Sequence, residues 1–223
     1  MPRYSSDPTR ASSGTPYGPP DQGHAPHHRL IGPMELAIWL HNRVPRLQER
    51  WSEEIRARGL GQGTDVDRVV ERFVFQIVSL LPSLVGPYRE QIQPLWIRAS
   101  ELFGTMAAKR GLAAGEVIEE FHILRELVIR DLYRDPPLGG KVPLSLREIL
   151  RLNRALDRGV THASVGHTDA LFFQFFEADG DSVTMSVAEV AEEAVAQLEL
   201  IGREWQEILE HVPPSSKERV REN

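Results

Sequence analysis

The sequence predicts an all-α protein: a single antiparallel helical bundle or globin-like domain with a C-terminal heptad helix. Two observations predict it. Apolar residues recur three and four positions apart in every long segment from residue 33 to residue 210, the period that places them on one face of a helix. No segment shows the strict alternation or the β-branched runs of a strand. A chain of 223 residues with 41% hydrophobic content can bury one sizeable core.

Residues 1–30 are rich in Pro, Gly, Ser and His with almost nothing apolar to bury, and they read as a disordered arm. His24, His27 and His28 in it read as an incidental cluster, because ordering such an arm around a metal costs conformational entropy. The helical pattern begins at Pro33. Leu36, Leu40, Val44, Leu47, Trp51 and Ile55 form one face, and Pro45 among them removes a backbone donor, so one kinked helix and two shorter helices are equal expectations. After the glycines at 59, 61 and 63, Thr64 with Asp67 resembles an N-terminal cap. The helix that follows runs through Val66, Val70, Phe73, Val74, Ile77 and Leu81, and Pro82 and Gly86-Pro87 should end it.

A third pattern runs through Ile92, Leu95, Trp96, Ala99, Leu102, Phe103 and Met106 and stops at Arg110-Gly111, a basic residue followed by a C-terminal glycine. A fourth starts near Ala113 and carries Val117, Phe121, Leu124, Val128 and Leu132 before Asp135-Pro136-Pro137 and Gly139-Gly140. Ser145 and Glu148 are spaced as a capping box for a long fifth helix through Ile149, Leu152, Leu156 and Val160 towards Phe176. Gly159 and Gly166 should weaken its interior by roughly 1 kcal/mol each. Ala178 to Asp181 is the next break, so the helical domain spans 33–178, the heptad helix 183–211 and a charged tail 212–223.

The last helix differs in kind. Val187, Ala191, Ala194, Leu198, Ile201, Trp205 and Ile208 alternate at four and three, the a/d seam of a coiled coil held for about three heptads. These seven residues are the candidate partner-binding set, and a second copy or the chain's own domain are the other occupants of the seam. Seven Glu against one Arg lie between Val187 and Glu210, so this segment carries the whole net charge of −6. Seven glutamates would repel in a symmetric parallel pair, which favours a basic partner or the protein's own basic face.

Composition excludes several functions. A mildly acidic chain does not bind nucleic acid through bulk charge. Charge interrupts every apolar run before membrane-spanning length, and the N-terminus lacks the apolar stretch of a secretory signal, which together predict a cytoplasmic protein. With no cysteine there is no disulfide scaffold, thiolate chemistry or sulfur-based zinc site. Phosphate-cradling glycine loops, GxSxG and HExxH are all missing, and the chain reads as a non-enzyme with no cofactor.

The densest polar constellation is Glu119-Glu120-Phe121-His122-Ile123-Leu124-Arg125-Glu126. A histidine beside carboxylates suits a general base, a phospho-acceptor or a haem ligand, and His122 is the one cofactor-binding candidate. His162, His167 and Asp169 make a poor metal set, because a spacing of five puts the two histidines on different faces. Asn153 and Asp157 share a face and should meet Arg125 or Arg130 as a buried polar clasp.

Arg110-Gly111, Val117-Ile118, Glu120-Phe121-x-x-Leu124-Arg125 and Leu152-Asn153-x-x-Leu156-Asp157 together resemble the N-terminal domain of the RsbRD-type RsbT co-antagonists. A similar module stands in front of many bacterial sensor histidine kinases. The resemblance covers about residues 34–176 and implies a helical input domain of globin-like descent without haem, which passes a signal to an output domain. Neither a STAS domain nor a kinase core follows in this sequence. The expectation is therefore a non-catalytic signal-transduction module that binds a kinase, an anti-sigma factor or a response regulator in trans, as a monomer or a homodimer. The alternative is a globin-like haem sensor with His122 as ligand.

Overall fold

A computed structural model of the protein describes residues 29–58, 64–177 and 187–211. The expected N-terminal arm up to residue 28, the Thr64 cap side chain, the break at 178–181 and the tail at 212–223 lie outside the described residues. Seven α-helices and no strand are found among them: α1 Pro33–His41, α2 Val44–Arg58, α3 Thr64–Val85, α4 Arg89–Lys109, α5 Ala114–Arg134, α6 Leu146–Glu177 and α7 Val187–His211. The all-α expectation holds.

Pro45 resolves the first pattern into two helices, standing in the first turn of α2, where its missing N–H has no partner to lose. Pro82 does not end α3. It lies in the last turn, buried, and the helix closes only at Val85, with the Gly86 N–H donating to the Pro82 carbonyl. Gly111 supplies the left-handed turn after α4 at φ +78°. The box expected at α6 forms by half: Ser145 Oγ accepts the Glu148 N–H at 3.2 Å, while the Glu148 carboxylate faces Arg151 Nε at 3.2 Å.

The core is built around α4, flanked by α3, α5, α6 and α7. Five aromatic rings meet at its centre: Trp51 stacks on Phe103, and Phe73, Trp96 and Phe121 present edges to their neighbours. Helices α4 and α6 run in the same direction, since Gln93 meets Arg158, Glu101 meets His162 and Thr105 meets the Gly166 carbonyl. Small residues bring them into backbone contact. A Cβ on Gly104 would lie 1.8 Å from the Ala163 oxygen, and one on Gly166 would lie 2.0 Å from the Glu101 oxygen. The glycines expected to weaken α6 are thus the residues that let it approach.

The heptad seam corrects an expectation. Ala191, Ala194, Leu198 and Ile201 are buried in the chain's own core, with Trp205 and Ile208 packed against it, and α7 lies on α3 and α4. The side chain of Val187 is outside the described residues. Burying the seam against adjacent apolar helices removes it from water without the translational entropy that a partner would lose. The boundary expected between domain and heptad helix is therefore no boundary in packing, and the seam is not an open partner-binding face.

Candidate functional site

Helices α2 and α5 are joined along one side by an ionic ladder. Arg43 pairs with Asp135, Arg46 and Arg50 both reach Asp131 Oδ1 at 3.5 Å, and Arg58 reaches Glu119 at 3.5 Å. Asp131 is 1% exposed, and both guanidiniums approach the same oxygen of its carboxyl. The ladder was legible as Arg43, Arg46 and Arg50 on one helical face opposite Asp131 and Asp135, a pattern that apolar periodicity alone passes over.

At the end of this ladder a cleft of about 420 Å³ opens between Arg58, the turn after α4 and the start of α5. Its floor is the pair of Arg110 and Glu120, 3.4 Å apart and both nearly inaccessible. The Glu120 backbone carbonyl accepts the indole N–H of Trp51 at 2.7 Å, tying the floor to the aromatic core. Burial raises the Glu120 carboxyl above its ordinary value, against the opposing pull of the Arg110 guanidinium. Across Arg58 and Glu119 lies a second groove of about 300 Å³, rimmed by Glu54, His122, Glu126 and Arg130.

The candidate residues thus separate. Glu120 points inward to Arg110, Glu119 is exposed between the two clefts and lines both, and His122 lies in the second only, so the three do not converge on one substrate position. His122 stands among charged side chains, not against the broad apolar walls that a haem macrocycle requires. The residues present do not fit that group. His162 bonds Glu101 through Nδ1 at 2.8 Å, linking α6 to α4, and His167 bonds the Leu112 carbonyl through Nε2 at 2.7 Å, linking α6 to the turn after α4, which accounts for both as structural links. No metal-binding group of three His, Asp or Glu occurs among the described residues.

The clasp forms in part. Arg125 pairs with Asp157 as expected, joining α5 to α6, but on the surface: the Asp157 side chain is 61% exposed. Asn153 turns to the Ile149 carbonyl of its own helix at 3.2 Å and takes no part. Solvent screens such a pair. Arg125→Ala is expected to lower stability by at most about 1 kcal/mol in urea unfolding.

Glu120 gives a sharper test. Its folded-state pKa is raised, so the native state holds this proton more tightly than the unfolded chain. The associated stabilisation is complete below the ordinary value of 4.5 and is lost as pH rises through the folded value. Glu120→Gln keeps the shape and removes the titration. Urea midpoints compared from pH 4 to pH 8 are expected to show the variant gaining on the wild type as pH rises through that window.

The fold defines the class: an all-α protein in which no helix, among the described residues, is long and apolar enough to cross a membrane. No protein family, curated protein or solved structure matches the chain.

Proposed function

We propose that this chain is a non-catalytic regulatory module that receives an input in its helical body and acts in trans on a protein partner, of the kinase, anti-sigma factor or response-regulator type. The observation that carries this reading is the division of α7 into two sides. One side is spent on the core, and the other presents Glu192, Glu193, Glu199, Glu207 and Glu210 to solvent. Arg98 binds Glu204 through two bonds of 3.0 Å, which answers part of the acidic charge internally. A helix held rigidly by its seam and acidic on its outer side offers a surface complementary to a basic partner. The resemblance of α5 and α6 to RsbRD-type input domains supports the same reading.

Deleting α7 would uncover the core, so charge reversal is the sounder test. The triple variant Glu193→Lys, Glu207→Lys, Glu210→Lys alters exposed side chains only. Pull-downs from lysate of the native host should retain a regulatory protein on the wild type and lose it on the variant, with the circular-dichroism melting curve unchanged. Equal retention by both, or retention of nothing by either, would sink the proposal.

A further inference from the structure

Along the line where α7 meets α3, packing is incomplete. Two clefts, of about 450 Å³ and about 590 Å³, follow each other along this line and share Glu199. The first is floored by Val69, Ala191 and Val195. The second lies over Phe75, Gln76 and Trp205. Phe75 is 56% exposed, an aromatic ring on the open side of a helix whose other apolar residues are mostly buried. Gln76 is 7% exposed and its side-chain N–H2 has no hydrogen-bond partner, although buried amides are ordinarily satisfied. Trp205 is half-buried, its indole N–H 3.4 Å from Ser83 Oγ.

The rim of this groove is mainly acidic. Helix α7 contributes Glu192, Glu199, Glu207 and Glu210 together with Arg203, and α3 contributes Arg68. From Glu192 to Glu210 the line runs about 27 Å at 1.5 Å per residue, or five helical turns. An apolar floor with an acidic rim of that length is the complement of a basic amphipathic helix, whose apolar stripe would cover Phe75 and whose lysines and arginines would meet the glutamates. A second copy of α7 would bring like charges together.

We infer that the α3/α7 groove is the docking site for a basic amphipathic helix of the protein partner, with Phe75 and Trp205 as its apolar anchors. This rests on the reading of the chain as a binder of a partner in trans. It places contact at the open edge of the heptad seam, where Trp205 is half-buried, while Ala194, Leu198 and Ile201 stay in the core.

The probe is a synthetic 20-residue amphipathic helix of Leu and Lys, with the Leu and Glu counterpart as control, titrated into the isotope-labelled full chain and followed by amide chemical shifts. The expected result is saturable binding of the basic peptide only, with shifts centred on Phe75, Gln76, Gly202 and Gln206. Affinity should fall at least tenfold in Phe75→Ser and separately in Glu199→Lys, Glu207→Lys. Shifts scattered over the acidic surface, or affinity unchanged in both variants, would overturn the inference. So would a wild-type dimer that Phe75→Ser converts to monomer, since a second copy would then occupy the groove. A host partner that wild type and Phe75→Ser retain equally would remove the groove assignment and leave the regulatory reading standing. Retention of nothing by either would remove that reading itself.

Discussion

Gly104→Ala is expected to destabilise the protein by about 3 kcal/mol in urea unfolding, the upper part of the usual range for forcing a methyl group into a close-packed interior. Helix propensity alone predicts the opposite, a gain of about 1 kcal/mol for Ala over Gly. Sterics decide the sign. The new Cβ would meet the Ala163 carbonyl oxygen at 1.8 Å and the His167 amide nitrogen at 2.9 Å. Both are backbone atoms, so no side chain can rotate away. Relief requires α4 and α6 to separate, and that separation would loosen the contacts of Trp96 and Phe121 with Gly159, which already allows no added Cβ without overlap. Gly115 is the control, since a Cβ there meets nothing within 4 Å. Gly115→Ala is expected to leave stability unchanged or raise it by about 0.5 kcal/mol. Equal behaviour of the two variants would show that α4 and α6 are not in backbone contact.

Trp51→Ala is expected to cost about 4 kcal/mol, within the range for removing a fully buried indole. Trp51 is wholly inaccessible, contacts Phe103 and Phe121 through its ring, and donates to the Glu120 carbonyl. Its replacement by Phe separates packing from bonding. Trp51→Phe keeps most of the apolar volume and removes the indole's bond to a carbonyl that still accepts its own helical N–H in α5, at a cost of about 0.5–1.5 kcal/mol. Trp96 is equally buried, yet its indole N–H has no hydrogen-bond partner. Trp96→Phe should therefore cost less than Trp51→Phe. Thermal or urea unfolding of the two variants side by side reads the difference, and the reverse order would contradict the assigned role of the Trp51 bond.

Legibility differs between fold and site for a physical reason. The helical faces of Leu36, Leu47, Trp51, Phe73, Trp96, Phe121 and Leu152 are buried as their spacing requires, because amphipathic periodicity reports directly on which side of a helix leaves water. Polar partners are harder to read. Helical register leaves Arg125 and Arg130 as alternative partners for Asp157, and the structure takes Arg125 at the surface; Asn153 takes no part, and the partner of Glu120 is not foreseen. Arg110 lies ten residues before Glu120, across the reversal at Gly111. Only the geometry of that turn brings the two together.

The amino-acid sequence by itself determined the helical class, the order of the elements and most of their ends, since period, glycine, proline and capping residues act within a few positions of one another. Its heptad seam was equally visible. What the seam packs against was left to the tertiary structure, which lays α7 on α3 and α4 and leaves its acidic side outward. Tertiary structure also gave Gly104, Gly159 and Gly166 their meaning. A missing side chain weakens a lone helix, and it becomes an advantage only when a second backbone fills the space it leaves.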